Sequence, residues 1–410
     1  MRTRSLRPPR WLLLPALLSG GTAAAQDSSI YVQCPETTDL HPSGGEGIKC
    51  AHLVAGDGMV TMSDDDQTPM YIFSYATLPD DGPVVNSPDF PGWVMDEGIL
   101  AANAPAPTLA IDEDDEFFLT LTNVGMAMRP DLADPHTVHW HGFPQAASIF
   151  DGVPDSSVSI NMGASLTYYY LANDAGTYMY HCHVEATEHM QMGMLGNLYV
   201  RPRQNKLPAG TDLSGFTHQT GYTYAYNDGD GSTYYDVDFP IQLGSFDPDY
   251  HDASFEVQPL PFASMRDTYF LMNGRGYPDA VDPDAISTVD PLGKTQVSQP
   301  VSSLITADAG DVILLRISNL NVTQFNTVAT NGIPMRVIAE DARLLRDDSG
   351  NDLYYSTQSV TLGGGQSVDV LLDTSGLASG STYFLYTSNL HQLANDDENF
   401  GGMMTEIRIN

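Results

Sequence analysis

The strongest constraint on the fold of this sequence is an internal repeat of short apolar runs. The segment PTLAIDEDDEFFLTLTN at 107–123 has a counterpart in SLITADAGDVILLRISN at 303–319. In the same way, GTYMYHCH at 176–183 has a counterpart in STYFLYTSN at 381–389. Runs such as MYIFSYATL and SVDVLLDT alternate apolar and polar side chains between Gly, Pro, Asn and Asp, a pattern typical of strands. The repeat therefore predicts an all-β protein made of two β-sandwich domains.

The 410 residues are enough for two such domains with additional segments. From the positions of the repeats we predict an N-terminal extension at 26–70, a first sandwich at 71–203, a polar connector at 204–234 and a second sandwich at 235–410. Each sandwich would then contain one copy of the repeated segments.

Residues 1–25 are typical of a signal peptide. Four arginines precede the apolar run WLLLPALL, and Ala23-Ala24-Ala25 offers small residues for cleavage. The apolar run is too short to span a bilayer, and no other long apolar segment follows. We therefore expect an exported protein without a membrane span, either secreted or periplasmic.

Six of the eleven histidines and one of the three cysteines fall in two short clusters. The first cluster is DPHTVHWHG, with His136, His139 and His141, and the second is GTYMYHCHVEATEHMQMGM, with His181, Cys182, His183 and His189. If both clusters are strands, their side chains alternate between faces. His136 and Cys182 then point to one side, and the other four histidines of the strands point to the opposite side.

The first of these two groups has the composition of a blue copper centre. His189 and Met194 follow Cys182 closely, so two imidazoles, a thiolate and a thioether are available together. This is the ligand set of an electron-transfer copper site with a weak axial methionine. Met192 is a poorer axial candidate because it lies closer to His189. A structural zinc site is disfavoured, since CxxC-like spacing is absent.

The second group offers four imidazoles and no thiolate: His139, His141, His181 and His183. Such a set suits copper that binds oxygen or another small oxidant. The order HxxHxH, then HCH, then a further His and Met resembles the copper-binding domain of the multicopper oxidase family. The resemblance begins near residue 104 and is clearer in the first half of the chain. It implies two cupredoxin-like Greek-key β-sandwiches.

The resemblance also implies a role for each residue of the two clusters. His136, Cys182, His189 and Met194 match the type 1 copper ligands of the family, His139 matches a type 2 ligand, and His141, His181 and His183 match type 3 ligands. The interval from Cys182 to His189 is two residues longer than in laccases and shorter than in copper nitrite reductases, which is a departure from both patterns.

The second half of the chain lacks these ligands. Where the first half has His136, His139 and His141, we align Asn326, Ala329 and Asn331, and where it has His181, Cys182 and His183, we align Thr387, Ser388 and Asn389. The chain thus supplies four imidazoles to an oxygen site, half of the family's usual set. A symmetric homo-oligomer is expected to complete the site. Among the remaining histidines, His391 is the best candidate for a further ligand.

The family implies an oxidoreductase that uses copper. Single electrons from a small-molecule or metal-ion donor, such as a phenol, would enter at the type 1 copper. They would pass through Cys182 with its neighbours His181 and His183, the catalytic residues of this interpretation, to a site that reduces O2. Two alternatives stay open: an electron-transfer protein with a vestigial second site, and an enzyme similar to copper nitrite reductase, in which His139, His181 and a neighbour's His hold one copper.

Charge and cysteine content add two further expectations. Fifty-two acidic against seventeen basic residues give a net charge of −35, which excludes nucleic acid as a partner, because phosphate contacts need a basic face. The acidic surface indicates solubility, in high salt for example, or attraction of cations.

With Cys182 assigned to copper, Cys34 and Cys50 are expected to form a disulfide in an oxidising compartment. Metal binding by these thiols with His41 and His52 is the alternative.

Overall fold

The computed structural model describes residues 29–410, so the predicted signal peptide at 1–25 lies outside the described residues. Strands dominate the described chain, which contains three short α-helices. The all-β prediction is confirmed. None of the helices in this part of the chain has the length and apolar character needed to cross a membrane.

Eight strands and two helices form the first sandwich. In chain order they are β1 (Ile48–Thr61), β2 (Pro69–Thr77), α1 (Phe90–Gly98), β3 (Ala106–Asp112), β4 (Glu116–Gly125), β5 (His139–His141), β6 (Ser165–Leu171), β7 (Gly176–His181), α2 (Ala186–Gln191) and β8 (Leu195–Arg201). One sheet has the strand order β2-β1-β4-β6, and the facing sheet has the order β3-β8-β7-β5. Apolar side chains from both sheets make one core.

The first sandwich begins earlier than residue 71, where we predicted its start. Strand β1 pairs antiparallel with β2 and parallel with β4, so it occupies the interior of the sheet and is not part of an extension. The sequence of β1 does not predict an interior strand, because Gly56, Asp57 and Gly58 interrupt the apolar pattern. Asp57 is fully buried, and its carboxylate accepts hydrogen bonds from the backbone of residues 127 and 128.

The connector contains two small hairpins, and the strands after it form the second sandwich and one separate hairpin. The hairpins are β9 (Asp212–Leu213), β10 (Phe216–Thr217), β11 (Thr223–Tyr224) and β12 (Tyr234–Tyr235). The elements after the connector are β13 (Val237–Phe246), α3 (Pro248–Phe255), β14 (Tyr269–Met272), β15 (Ile286–Val289), β16 (Thr295–Gln299), β17 (Ile305–Ala307), β18 (Val312–Asn319), β19 (Asn326–Thr330), β20 (Met335–Glu340), β21 (Arg343–Leu344), β22 (Tyr355–Thr357), β23 (Ser359–Leu362), β24 (Gln366–Asp373), β25 (Thr382–Thr387) and β26 (Met404–Ile409). Strands β15 and β16 pair with each other as a separate hairpin, and α3 packs against the core of the first sandwich.

The strand pairings of the second sandwich repeat those of the first. Its sheets have the orders β14-β13-β18-β24-β20-β21 and β17-β26-β25-β19-β23. The parallel pair β3 and β8 corresponds to the parallel pair β17 and β26. The antiparallel pair β5 and β7 corresponds to β19 and β25. The internal repeat in the sequence therefore reflects two copies of one sandwich.

The short strand β5 contains two histidines of the first cluster, His139 and His141, on either side of the buried Trp140. Trp140 is 1% exposed and stacks on Tyr170 with ring centroids 3.6 Å apart. Phe143 packs edge-on against the same indole at 4.8 Å. Since neighbouring side chains on a strand point to opposite faces, the burial of Trp140 directs His139 and His141 away from this core.

A buried polar network joins the two sandwiches next to β7. The Arg316 guanidinium donates to Thr177 Oγ1 at 3.2 Å, and Thr177 donates to Asp369 at 2.6 Å. Ser318 donates to Asn197 at 2.6 Å. All of these side chains are buried. The network fixes the strand that ends at His181 against the second sandwich.

The predicted disulfide between Cys34 and Cys50 is present, with the two cysteines 16 residues apart. We expect the double variant Cys34→Ser/Cys50→Ser to lose about 3 kcal/mol of unfolding free energy, because the crosslink restricts a loop of this length in the unfolded chain. Denaturant unfolding of the metal-free protein measures this loss. Reduction of the wild type should give the same loss, and an unchanged denaturation midpoint would contradict the expectation.

Candidate metal centre

The structure brings His136, Cys182 and His189 together in the interior of the first sandwich. All three are fully buried, and one potential ligand atom from each lies within 4.8 Å of the others. The Nδ1 atom of His189 lies 3.1 Å from Cys182 Sγ, and the Nδ1 atom of His136 lies 4.0 Å from it. Both imidazoles thus present the same nitrogen to the sulfur.

These distances fit a metal ion in a trigonal site made of two nitrogens and one sulfur. Metal–nitrogen bonds of about 2.0 Å and metal–sulfur bonds of about 2.3 Å at trigonal angles separate nitrogen from sulfur by about 3.7 Å. The observed separations of 3.1 and 4.0 Å lie on either side of this value. Met194 is fully buried next to the group, and its backbone N–H donates to the carbonyl of His189. Its role as axial ligand stays a prediction.

Two residues outside the predicted set hold this group in place. Asp134 Oδ2 lies 3.0 Å from His189 Nε2, so the carboxylate favours a proton on Nε2 and leaves Nδ1 for a metal. The backbone N–H of Thr137 donates to Cys182 Sγ at 3.4 Å. Sequence reasoning missed both residues, although Asp134 stands two positions before His136 in the DPHTVH motif.

The electrostatics of this group favour a thiolate. Burial opposes the charge, but His189 and His136 together lower the pKa of the Cys182 thiol well below its usual value. Burial would also lower the pKa of His189, but the Cys182 thiolate and the Asp134 carboxylate raise it well above its usual value. Thiolate sulfur is the form of cysteine that binds metals.

The remaining four histidines of the clusters gather on the opposite side of β5 and β7. His139 pairs with His181 across the two strands. One potential ligand atom from each of His139, His141 and His181 lies within 4.8 Å of the others. The His183 ring lies 5.1 Å from the His139 ring and 5.7 Å from the His181 ring, measured between centroids. We call these four residues the four-histidine cluster.

Hydrogen bonds orient two of these rings. The Nδ1–H of His139 donates to the carbonyl of Asp151 at 2.6 Å, and that of His181 donates to the carbonyl of Cys182 at 2.8 Å. Burial lowers the pKa of His181 to about 3, against the opposing effect of the Cys182 carbonyl. With Nδ1 engaged, each of these two rings has Nε2 as the nitrogen available to a metal, and His181 Nε2 lies 3.3 Å from His141 Nδ1.

The four-histidine cluster opens into a cleft of about 570 Å³ between the two sandwiches. The first sandwich contributes the four histidines and part of α2, while residues 320–325 with Gly364 and Gly365 form the facing wall. Gly365 lies against the His141 ring, where a Cβ atom would come within 2.6 Å of Nε2. Among the described residues that line this cleft, the second sandwich supplies no imidazole.

The second sandwich has hydrogen-bonding side chains where the first has the His136, Cys182 and His189 group. The Cys182 N–H donates to the Met194 carbonyl at 3.2 Å, and the Thr387 N–H donates likewise to Met403 at 2.9 Å. The Met194 N–H donates to His189, and the Met403 N–H donates to Gln392. The equivalents of Cys182, His189 and Met194 are therefore Thr387, Gln392 and Met403.

This register corrects our alignment of the second half by one residue. Strand pairing places Ala329 opposite Tyr386, as His139 is opposite His181, so Tyr386 and not Thr387 matches His181. Asn326, Thr387 and Gln392 are buried, and the Gln392 amide is bonded to both of the others. Amide and hydroxyl groups thus satisfy one another where the first sandwich has a thiolate and imidazoles.

The other histidines lie apart from both groups. His52 bonds to Thr122, His218 bonds to Tyr224, and His251 is buried between the backbone carbonyls of residues 71 and 191. His41, beside Glu116, belongs to the disulfide loop. His391 is exposed and lies outside the lining of the four-histidine cleft of its own chain.

Comparison with known proteins agrees with the fold and with the first sandwich. Residues 97–205 match the family model described as multicopper oxidase. A multicopper oxidase of Talaromyces pinophilus is 38% identical over 103 residues, which cover 25% of this chain and 16% of the relative. The chain therefore matches only a small part of that protein. The stretch that matches the family model, at 97–205, contains both histidine clusters, so the similarity to multicopper oxidases includes the candidate metal centre.

Solved structures extend the likeness to both sandwiches. A blue copper oxidase from Nitrosomonas europaea aligns with a TM-score of 0.60 and 21% identity, over 88% of this chain and 86% of that chain. A copper nitrite reductase from the same organism aligns with a TM-score of 0.53 and 15% identity, over 88% and 93%. At these identities the likeness concerns the fold, which is the predicted pair of cupredoxin sandwiches.

Proposed function

We propose that this protein is a copper-dependent oxidoreductase that couples one-electron oxidation of a donor to reduction of O2. Electrons would enter at a copper held by His136, Cys182 and His189, with Met194 as axial ligand. They would leave through Cys182 toward the four-histidine cluster. The observation that carries this proposal is that Cys182 belongs to one group while its two chain neighbours, His181 and His183, belong to the other.

The protein's part in this chemistry follows from the two groups. Bound copper would supply a one-electron couple in each group. The hydrogen bond from Thr137 N–H to Sγ stabilises the thiolate, and Asp134 holds the His189 ring with Nδ1 toward the sulfur. The path from Cys182 Sγ to the imidazole of His181 or of His183 runs entirely through covalent bonds of the side chains and the backbone. The buried position of His181 keeps its ring neutral and fixed at the floor of the cleft.

A nitrite-reductase-like enzyme is the second candidate, and one observation favours it. Ligand atoms of His139, His141 and His181 form a compact trio, while His183 is not part of this trio. Three imidazoles are enough for a mononuclear copper. The electron-transfer protein with a vestigial second site stays as the third possibility, although four histidines kept around an open cleft favour a working site.

The finer expectations from the sequence remain part of this proposal. They are export by the segment at 1–25, a phenol or a metal ion as the electron donor, and a homo-oligomer that completes the oxygen site. The acidic surface, with a net charge of −35, would attract a cationic donor more strongly than a neutral phenol at low salt.

Copper content and spectra of the protein test the proposal. We expect more than one copper per chain, with an intense blue absorption band from the thiolate-bound copper and a second, non-blue copper population detected by EPR. Oxygen consumption with a reducing donor should accompany this loading. One copper per chain with a blue band alone would overturn the oxidase proposal and support an electron carrier. Nitrite turnover without oxygen consumption would support the nitrite-reductase-like enzyme.

A further inference from the structure

Apart from its four imidazoles, the four-histidine cleft has no ionisable side chain in its lining. Among the described residues that line it, none is Asp, Glu, Lys, Arg, Tyr or Cys. The chain as a whole has 52 acidic and 17 basic residues, so this uncharged cleft of about 570 Å³ contrasts with the rest of the protein. The facing wall therefore offers no counter-charge to a charged molecule that enters the cleft.

The facing wall places apolar side chains opposite the four-histidine cluster. Leu320, Val322 and Phe325 belong to this wall. Leu320 is 3% exposed and packs with Leu195 of the first sandwich in a small apolar cluster. Phe325 is 71% exposed, and its ring lies against Gly363, where a Cβ atom would come within 2.8 Å. The wall is thus apolar at its buried end and at its exposed end.

The hydrogen-bond donors at the centre of the wall are already engaged. The Asn321 amide donates to Ser245, and the Thr323 hydroxyl donates to Asp267. The backbone N–H groups of residues 323 and 324 donate to Asn321 Oδ1. A small anion that leaves water needs hydrogen-bond donors or a counter-charge in its new surroundings. These donors of the wall are not free to meet that need.

The charged groups next to the cleft are carboxylates on both sides. Asp267, which accepts the hydrogen bond from Thr323 of the facing wall, is 7% exposed. On the side of the cluster, Asp151 Oδ1 lies 3.5 Å from His139 Nδ1. The net charge of −35 gives the surrounding surface the same sign. These groups would repel a small anion in the cleft, whereas they would not repel an uncharged molecule.

We propose that Leu320, Val322 and Phe325 are specificity-determining residues that make the cleft selective for an uncharged oxidant over a small anion. O2 is uncharged and apolar, so it loses no strong hydration when it enters and gains contact with the wall. Nitrite would exchange its hydration for a wall without free donors or a counter-charge. The inference rests on the proposed function, because it concerns the oxidant of the same site, and it disfavours the nitrite-reductase-like enzyme.

The first test changes the charge of one wall residue. Val322 is half-buried, so Val322→Lys adds an ammonium group at the wall, and Val322→Met is the uncharged control of similar length. Nitrite binding to the copper-loaded proteins is followed through the non-blue EPR signal. We expect no saturation at millimolar nitrite for the wild type and for Val322→Met. Val322→Lys should bind nitrite at least about tenfold more tightly, because the ammonium group supplies the missing counter-charge.

Oxygen consumption by the same variants gives a second readout. Nitrite should inhibit Val322→Lys at concentrations that leave the wild type and Val322→Met unaffected. Without nitrite, Val322→Lys should have a higher KM for O2 and a kcat close to that of the wild type, since all the candidate metal ligands are unchanged. The blue band reports whether each variant is folded.

The third test does not depend on copper. Xenon binds in apolar cavities of proteins, so it serves as an uncharged, apolar probe of the wall. Crystals of the wild type under xenon pressure, with or without copper, should contain xenon beside Leu320 and Val322. Crystals of Val322→Lys should contain none at this position. The measurement therefore separates a failure of this inference from a failure of the proposed function.

Three results would overturn the inference. They are a wild type that binds nitrite as tightly as Val322→Lys, a Val322→Met variant that gains the same nitrite affinity as the lysine variant, and wild-type crystals without xenon at the wall. A wild type without a blue band or without oxygen consumption would instead refute the proposed function, while the xenon result would still report on the wall.

Discussion

Replacing Cys182 with serine is expected to abolish the blue absorption of the copper-loaded protein and to reduce donor oxidation to background. The serine hydroxyl stays protonated at neutral pH and offers no sulfur to the metal, so the intense thiolate-to-copper band has no source. The imidazoles of His136 and His189 remain, but a copper held by them no longer has a thiolate ligand. Optical titration with copper and oxygen-consumption assays measure the two effects.

The four-histidine cluster gives this prediction its internal control. Cys182→Ser should still bind copper there, with the non-blue EPR signal retained, because none of those ligands is changed. Met192→Leu provides a matched control at a fully buried neighbour outside the ligand set, and it should keep the blue band. A serine variant that stays blue, or that oxidises the donor at the wild-type rate, would contradict the assignment of Cys182.

Replacing Trp140 with alanine should cause the largest loss of stability among single substitutions in the first sandwich. The indole is 1% exposed and packs on Tyr170 and Phe143. Removal of a buried aromatic side chain of this size costs about 3–5 kcal/mol, since it leaves a cavity as well as lost burial. Denaturant unfolding of the metal-free protein measures the change.

The same substitution should also weaken copper binding at the four-histidine cluster. Trp140 anchors β5, which carries His139 and His141 on its other face, so its loss frees both rings. Trp140→Phe should lose less stability and keep more copper. Trp93→Ala, which removes a half-buried indole from α1, is the matched control and should leave the cluster unchanged. A cost below about 1 kcal/mol for Trp140→Ala would contradict the role of this core.

The two groups of histidines could be predicted from sequence because strand geometry is local. With a period of two, HTVHWH and HCH distribute their side chains between two faces regardless of what surrounds them. The structure shows this separation: the Nδ1 atoms of His136 and His189 meet Cys182 Sγ, while His139 and His181 pair on the opposite side. Their roles as copper ligands remain predictions.

Other features escaped sequence reasoning for identifiable reasons. The predicted N-terminal extension includes β1 because glycines and a buried aspartate break the apolar alternation of this strand. The hydrogen bonds that satisfy Asp57 come from backbone that is distant in sequence. The predicted register of β25 is wrong by one residue, because without the ligands no motif fixes the alignment. Only the pairing of Ala329 with Tyr386 resolves it.

Three features follow from the amino-acid sequence alone: the repeat, the alternation of side chains along β5 and β7, and the covalent link from Cys182 to two imidazoles of the other group. These features depend on bonded geometry and on strand period, which need no knowledge of distant residues. Long-range contacts bring Asp134 to His189, place residues 320–325 opposite the four-histidine cluster without an imidazole, and put His391 on the adjoining surface. Those contacts depend on how the two sandwiches pack against each other, which local sequence patterns do not encode.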